Sequence, residues 1–176
     1  VGLADVYGAR GELARGMGDL EAAERAYTES LRRFRMVGGR HLVGVGLNLA
    51  LTHLQMGRVD EARAWLDSVV HCPEAERATR GVSAVLLAVA RLCRVSCLAH
   101  SGEWTELARE LAVSASDLET LGIVSTDVMT VAMSTAKLCR DAGRLAEART
   151  LLAIAKAQAR TMDAIDGLEE LAASLR

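Results

Sequence analysis

Three side chains that can bind a metal ion lie close together in this 176-residue chain, namely Cys93, Cys97 and His100. Their i, i+4, i+7 spacing places them on one side of a predicted helix. A structural zinc site takes four ligands, so His71 or Cys72 would have to complete the set. The surrounding helix is among the most apolar in the chain, where cysteine usually packs as a small hydrophobic residue. We therefore predict buried thiols, no metal site and no cofactor.

Residue patterns that support catalysis are missing from the sequence. No GxxxxGK[ST] phosphate-binding run occurs, and the glycines between positions 37 and 46 follow no predicted strand. None of the four histidines lies beside a serine or cysteine and a carboxylate in an arrangement that resembles a nucleophile elbow. The carboxylates recur at helical spacing, which is typical of solvated helix faces. We predict no catalytic residues and a protein that is not an enzyme.

Charge and hydropathy restrict the class of partner. The formal net charge is −2, the isoelectric point is near 6.1, and the basic side chains cluster only at Arg32, Arg33, Arg35, Arg40 and His41. A helix end that complements the helix dipole explains this cluster better than nucleic-acid binding does. No run reaches the ~18 uninterrupted apolar residues of a spanning helix, and no basic stretch followed by an apolar one opens the given sequence. We predict a cytoplasmic protein that binds neither nucleic acid nor membrane.

The elements that must position any binding site are helices, since the chain holds 30 alanines and a single proline, Pro73. Four glycines, each followed by a polar and then an apolar residue, recur at spacings of 39, 45 and 41 residues. They are Gly18, Gly57, Gly102 and Gly143. Each stands where a helix C-terminus needs a residue that tolerates positive φ. The pattern predicts the tight turns of helical hairpins.

Small residues recur around these glycines and indicate how the two helices of a hairpin pack. Seven residues before each glycine and five after it stand the pairs Gly11 and Ala23, Ala50 and Ala62, Val95 and Leu107, and Ala136 and Ala148. In three of the four hairpins both members are small, which allows a close approach of the two helices.

The predicted fold is all-α. We expect helices near 2–16, 20–36, 41–56, 59–71, 79–101, 104–120, 125–142 and 145–161. A short amphipathic helix with Ile165, Leu168, Leu171 and Leu175 on one stripe is expected to follow as a C-terminal cap. The units then span about 1–37, 40–72, 79–121 and 124–161, with the cap at 163–175, in a single domain of residues 1–176. Because the chain begins at Val1 within a helical pattern, we expect it to be a fragment of a longer protein.

Three segments carry a resemblance to a known repeat family. They are LARGMGDLEAAERAYTESL at 13–31, LNLALTHLQMGRVDEARAWLDSVV at 47–70 and AKLCRDAGRLAEARTLLAIA at 136–155. Each resembles the turn and second helix of a tetratricopeptide repeat. The period exceeds that family's ~34 residues, so the chain is most similar to the longer-period variants of kinesin light chains and of arrays attached to bacterial regulators and kinases. The resemblance implies a right-handed α-solenoid of four antiparallel helical hairpins.

The resemblance also implies a binding surface, because the family lines a concave groove with the positions three, six, nine, ten and thirteen residues before each turn glycine. The predicted partner-binding residues are Leu47, Asn48, Leu51, Leu54, Val89, Leu92, Met133, Lys137 and Arg140. Asn48 matches an asparagine with which many family members hold the backbone of a bound peptide. Packing of the leucine row inside the protein is the alternative interpretation.

We therefore predict a non-catalytic protein–protein interaction module that binds a peptide or protein segment in this groove, as part of a bacterial regulatory or signalling protein. The alternative is a structural scaffold that self-associates through its exposed end hairpins. A persistent monomer in solution would argue against the second interpretation.

Overall fold

The computed structural model describes residues 2–37, 41–162 and 172–174, and within these ranges it contains nine α-helices and no β-strand. The helices are α1 (Gly2–Gly16), α2 (Leu20–Val37), α3 (Leu42–Gln55), α4 (Val59–Val70), α5 (Glu74–Arg80), α6 (Ala84–Ser101), α7 (Trp104–Thr120), α8 (Thr126–Asp141) and α9 (Leu145–Met162). The predicted all-α fold, typical of tetratricopeptide-like hairpins, is confirmed. The predicted cap over 163–175, Gly38, Gly39 and Arg40 lie outside the described residues, apart from 172–174.

The segment between the second and third hairpins differs from the prediction. A helix was expected from residue 79 onward, but the chain instead forms the short helix α5 and begins α6 only at Ala84. Gly81 ends α5 with a φ of 73°. The Ser83 hydroxyl accepts a hydrogen bond from the Leu86 backbone N–H at 3.2 Å and so caps α6. Gly81 and Ser83 therefore interrupt the single helix that the sequence pattern predicts over residues 79–101.

The turn glycines of the four hairpins adopt the predicted left-handed conformation, with φ between 70° and 79°. The backbone N–H after each glycine donates to the carbonyl five residues earlier, as Asp19 does to Ala14 at 3.0 Å. This is the Schellman arrangement, which satisfies carbonyls at a helix end. Gly81 and Gly122 form the same arrangement with φ of 73° and 59°, and neither was predicted as a turn glycine.

The chain divides into two compact units, Val1–Ala90 and Arg91–Arg176, with the boundary inside α6. In unit 1, α1 packs on α2, α2 on α3 and α3 on α4, and α1 also contacts α3. The buried Ser30 hydroxyl of α2 donates to the Ala4 carbonyl of α1 at 2.7 Å. Glu24 of α2 accepts from Arg58 at 2.7 Å, which ties the turn of the second hairpin to the first.

In unit 2, α8 packs on α9 and α7 contacts α9. The segment between α7 and α8 is held by Gln158, a buried amide of α9. Its oxygen accepts from the Ser125 backbone N–H at 2.8 Å, and its nitrogen donates to the Ile123 carbonyl at 2.9 Å. A single side chain therefore fixes the start of α8 relative to α9.

Among the described residues, α6 is the one helix long and apolar enough to cross a membrane by length and composition. Two thirds of that window is buried inside the protein. The helix also carries Arg91 and Arg94, which pair with Glu106, Glu110 and Asp117 of α7. These features are those of a core helix.

The paired residues flanking the four turns are all buried. Almost no surface is exposed at any of the eight positions, which are Gly11, Ala23, Ala50, Ala62, Val95, Leu107, Ala136 and Ala148. In the three hairpins whose pairs are small, these residues therefore occupy the interior of the hairpin, where a larger side chain would push the helices apart.

Candidate functional site

Unit 1 contains an open groove of about 390 Å³ between α1 and α3, which we call the α1/α3 groove. Helix α1 contributes Asp5, Gly8, Ala9 and Glu12, helix α3 contributes Gly44, Val45, Leu47 and Asn48, and Phe34, His41 and Leu86 complete the lining. The groove therefore combines an apolar floor with ionisable side chains along its α1 side.

The α1 residues share one helix face, because Asp5, Gly8 or Ala9, and Glu12 are three or four residues apart. Counted back from Gly18, they stand thirteen, ten, nine and six residues before the turn, which is the spacing that the family resemblance gives for groove positions. Sequence reasoning applied this spacing only to the later units. The signal that locates the α1 side of the groove was therefore present in the sequence.

Glycine makes the groove open. A Cβ built on Gly44 meets no atom within 4 Å, so the space above this part of α3 is empty. A Cβ on Gly8 lies 3.5 Å from the Ser30 hydroxyl and 3.8 Å from Val45, which are ordinary contacts. The floor at Gly44 is therefore the part of the groove that a side chain could fill without strain.

Asn48 connects the two walls of the groove. Its Nδ2 donates to Glu12 Oε1 at 3.3 Å, across 36 residues of sequence. A carboxylate can only accept hydrogen bonds, so the amide nitrogen must face Glu12 and the amide oxygen remains as an acceptor. The predicted binding residue Asn48 is thus held by a partner that the sequence did not indicate.

Burial separates the predicted leucines of this region. Leu47 is 5% exposed and lines the groove floor, whereas Leu51 is 3% exposed and Leu92 is fully buried. Leu51 and Leu92 are thus buried, and neither is among the residues that line the α1/α3 groove, so their place in a partner-binding surface stays a prediction. Leu54 and Val89 are half-buried.

The predicted residues of α8 belong to unit 2. Met133 is half-buried and Lys137 is exposed. Arg140 directs its guanidinium at Asp141, with both nitrogen–oxygen distances at 2.8 Å, and also donates to the Ser174 hydroxyl at 3.0 Å. Of the two predicted cations, Lys137 is therefore the more accessible to a partner.

The candidate metal ligands do not form a site. Cys93 and Cys97 are buried, whereas His100 is exposed and its Nδ1 lies 2.8 Å from the Ser96 carbonyl of the preceding turn. Among the described residues no group of three or more histidine, cysteine or carboxylate side chains could hold a metal ion. The buried thiols fit the packing interpretation.

The thiol of Cys139 is also poorly suited to nucleophilic chemistry. Burial raises its pKa to about 11, with a further contribution from the carboxylate of Glu147. Because the thiolate is the reactive form, a raised pKa leaves this cysteine mostly in its less reactive thiol form at neutral pH.

Two arginines of the basic cluster, Arg32 and Arg33, share one carboxylate on α2. Glu29 accepts hydrogen bonds from Arg32 at 2.8 Å and from Arg33 at 2.6 Å, and these guanidiniums lower the pKa of the Glu29 carboxyl to about 2. Arg33 also stacks over the Tyr7 ring at 5.0 Å. Arg32 and Arg33 are therefore both engaged by neighbouring side chains.

Unit 2 has a second open pocket of about 460 Å³ between α7 and α9. Its lining is mainly aliphatic and includes Leu118, Ile123, Val124, Ile154 and Ala157. It holds none of the predicted binding residues.

Comparison with known proteins gives one family. Family models of the tetratricopeptide repeat match residues 4–34, 43–68 and 130–153. These ranges cover parts of the first, second and fourth hairpins, and the hairpin of α6 and α7 lies outside them. No curated protein matches the chain.

Proposed function

Because this chain carries tetratricopeptide repeats, we propose that it is a non-catalytic interaction module that binds a peptide or protein segment in the α1/α3 groove. Repeats of this family generally mediate protein–protein interactions. The observation that carries the proposal is the open groove whose lining falls on the family's groove positions in the first two hairpins. A cytoplasmic bacterial regulatory protein is the setting we propose.

The groove can support binding by shape and by hydrogen bonding. Val45, Leu47 and Leu86 offer apolar contact, and the Asn48 amide oxygen offers an acceptor to the backbone N–H of an extended segment.

Filling the groove tests this proposal. We expect Gly44→Phe to abolish selection of peptides from a random display library, because the ring would occupy the space above α3. Gly44→Ala is the matched control and should select the same peptides as the wild-type chain. Both variants should melt no lower than the wild type, since glycine is the weakest non-proline residue in a helix interior.

Asn48→Ala adds a milder test on the same peptides. Removal of the Asn48 amide should weaken peptide binding by about 1–3 kcal/mol, because the peptide backbone would lose its hydrogen-bond partner. Peptides that bind Gly44→Phe as well as they bind the wild type would place the binding surface elsewhere.

Self-association is the second candidate function, and one feature of α1 favours it. Away from the groove, α1 and the turn residue after it expose a row of large apolar side chains, 53% to 77% accessible to solvent. The row consists of Leu3, Val6, Leu13 and Met17, interrupted by the exposed Arg10. Spacings of three, seven and four residues are those of a seam between two helices. A second copy of the chain is the proposed occupant.

Sedimentation equilibrium tests this second function. We expect the mass of the wild type to rise with concentration and Leu13→Glu to weaken self-association by about tenfold or more, because the carboxylate would be buried in the seam. Leu145→Glu is the control, since Leu145 is an exposed leucine of α9. A wild-type chain that remains a monomer up to about 1 mM would exclude this function and leave the groove proposal unaffected.

A further inference from the structure

The chemistry of the α1/α3 groove specifies its partner more narrowly than its shape does. The charged groups of its lining are Asp5 and Glu12, with His41 at one end, and no lysine or arginine is among the described residues that line it. Both carboxylates are exposed at the rim. The groove is therefore negative at neutral pH.

The hydrogen-bonding groups of the groove favour the same class of partner as its charge does. Glu12 takes one of the two Asn48 Nδ2 hydrogens, so this side chain offers a ligand its acceptor oxygen together with one remaining N–H. Asp5, Glu12 and Asn48 thus all present acceptors. A ligand that satisfies three acceptors must supply donors, and a positively charged donor gains most from the carboxylates.

The spacing of the carboxylates suggests how those donors are arranged. Asp5 and Glu12 are seven residues apart on one helix, which corresponds to about 10 Å along its axis. An extended polyproline-type segment repeats its face every three residues and rises about 9 Å over that length. Two basic residues at positions i and i+3 of such a segment would therefore reach both carboxylates.

We propose that the α1/α3 groove binds a basic, extended segment in which two arginines three residues apart face Asp5 and Glu12 while an aliphatic side chain rests on Val45 and Leu86. Arginine suits the site because its planar fork matches a carboxylate in two hydrogen bonds. The inference rests on the proposed function, since it takes the groove as the binding site. It adds the class of partner and the orientation in which it lies along α1.

Synthetic peptides test the charge of the partner directly. The probe is a short fluorescein-labelled peptide with an Arg-x-x-Arg spacing and leucines beside the arginines, and its control carries citrulline, a neutral isostere, in place of each arginine. Measured by fluorescence anisotropy on the whole chain, the arginine peptide should bind about tenfold or more tightly than the citrulline peptide. Equal binding of the two peptides, or no binding of the arginine peptide, overturns the inference.

Variants of the chain locate the effect. The double variant Asp5→Asn, Glu12→Gln should lower the affinity for the arginine peptide by about tenfold and leave the affinity for the citrulline peptide nearly unchanged. Asp60→Asn is the control, because Asp60 is an exposed carboxylate of α4 that does not line the groove. Unchanged affinity in the double variant overturns the inference.

The two proposals fail in different ways. If Gly44→Phe abolishes selection of library peptides but those peptides carry no excess of basic residues, the groove binds without the proposed charge preference. If library peptides bind Gly44→Phe as well as the wild type, the groove itself is not the site, and both proposals are wrong.

Discussion

Gly11→Ala is expected to lower the free energy of unfolding by roughly 1–3 kcal/mol, although alanine is the better helix former by about 1 kcal/mol. A Cβ at position 11 would lie 2.6 Å from two ring carbons of Tyr27 and 2.9 Å from a third. Tyr27 has no exposed surface, so its ring cannot move aside into solvent. Helices α1 and α2 would therefore have to separate. Urea denaturation with an unchanged m value would measure the loss.

Gly44→Ala is the matched control for this prediction. It is also a glycine inside a helix of unit 1, but its added Cβ meets open space. We expect Gly44→Ala to raise the free energy of unfolding by up to about 1 kcal/mol. The two glycine-to-alanine changes would then alter the free energy of unfolding in opposite directions, because the added Cβ meets the Tyr27 ring at position 11 and open space at position 44.

The other hairpins suggest a rescue of the Gly11→Ala variant. Nine residues after the turn glycine, the second hairpin has Leu66 where the first has Tyr27, and its small residue is Ala50 where the first has Gly11. We therefore expect Tyr27→Leu to relieve part of the cost of Gly11→Ala, since the pair would then match the second hairpin. Strictly additive effects of the two changes would show that they do not share one packing constraint.

The hairpins could be predicted from the sequence because the residues that mark each turn are close together in the chain. A helix end in the left-handed conformation strongly favours glycine, and Gly18 and Gly57 each adopt this conformation as predicted. The short helix α5 was missed because Gly81 is followed by an apolar and then a polar residue, the reverse of the order that marks the four repeated turns. The end of α5 depends on Gly81 and the start of α6 on the capping hydroxyl of Ser83, and neither of these single residues belongs to a periodic pattern.

The candidate site was only partly accessible from sequence. Spacing from the turn glycine identified Leu47 and Asn48, and the same count from Gly18 would have found Asp5 and Glu12. Burial of Leu51 could not be read from this count, because burial depends on what covers α3 and not on its own periodicity. The pairing of Asn48 with Glu12 joins residues 36 positions apart, and no local pattern encodes it.

The largest loss of stability in unit 2 is expected from Arg94→Met, at about 3 kcal/mol. Arg94 is 3% exposed, and its guanidinium lies 2.5 Å from Glu106 and 3.6 Å from Glu110. Methionine replaces the aliphatic stem but removes the charge, which leaves the carboxylate of Glu110, only 13% exposed, without its buried partner. Arg91, whose guanidinium is 3.5 Å from Glu110, compensates for part of that loss.

Arg109→Met provides the control, because Arg109 pairs with the same Glu106 at 3.8 Å but is 75% exposed. An exposed ion pair contributes at most about 1 kcal/mol, so this variant should unfold at nearly the wild-type urea concentration. Adding Glu110→Leu to Arg94→Met should recover much of the loss, since the shielded carboxylate that keeps only the longer contact to Arg91 would then be gone. Equal losses for Arg94→Met and Arg109→Met would mean that the charge of Arg94 is not desolvated in the folded chain. The predicted difference follows from burial and from the second partner: both arginines pair with Glu106, but only Arg94 is buried and only Arg94 also lies beside the shielded carboxylate of Glu110.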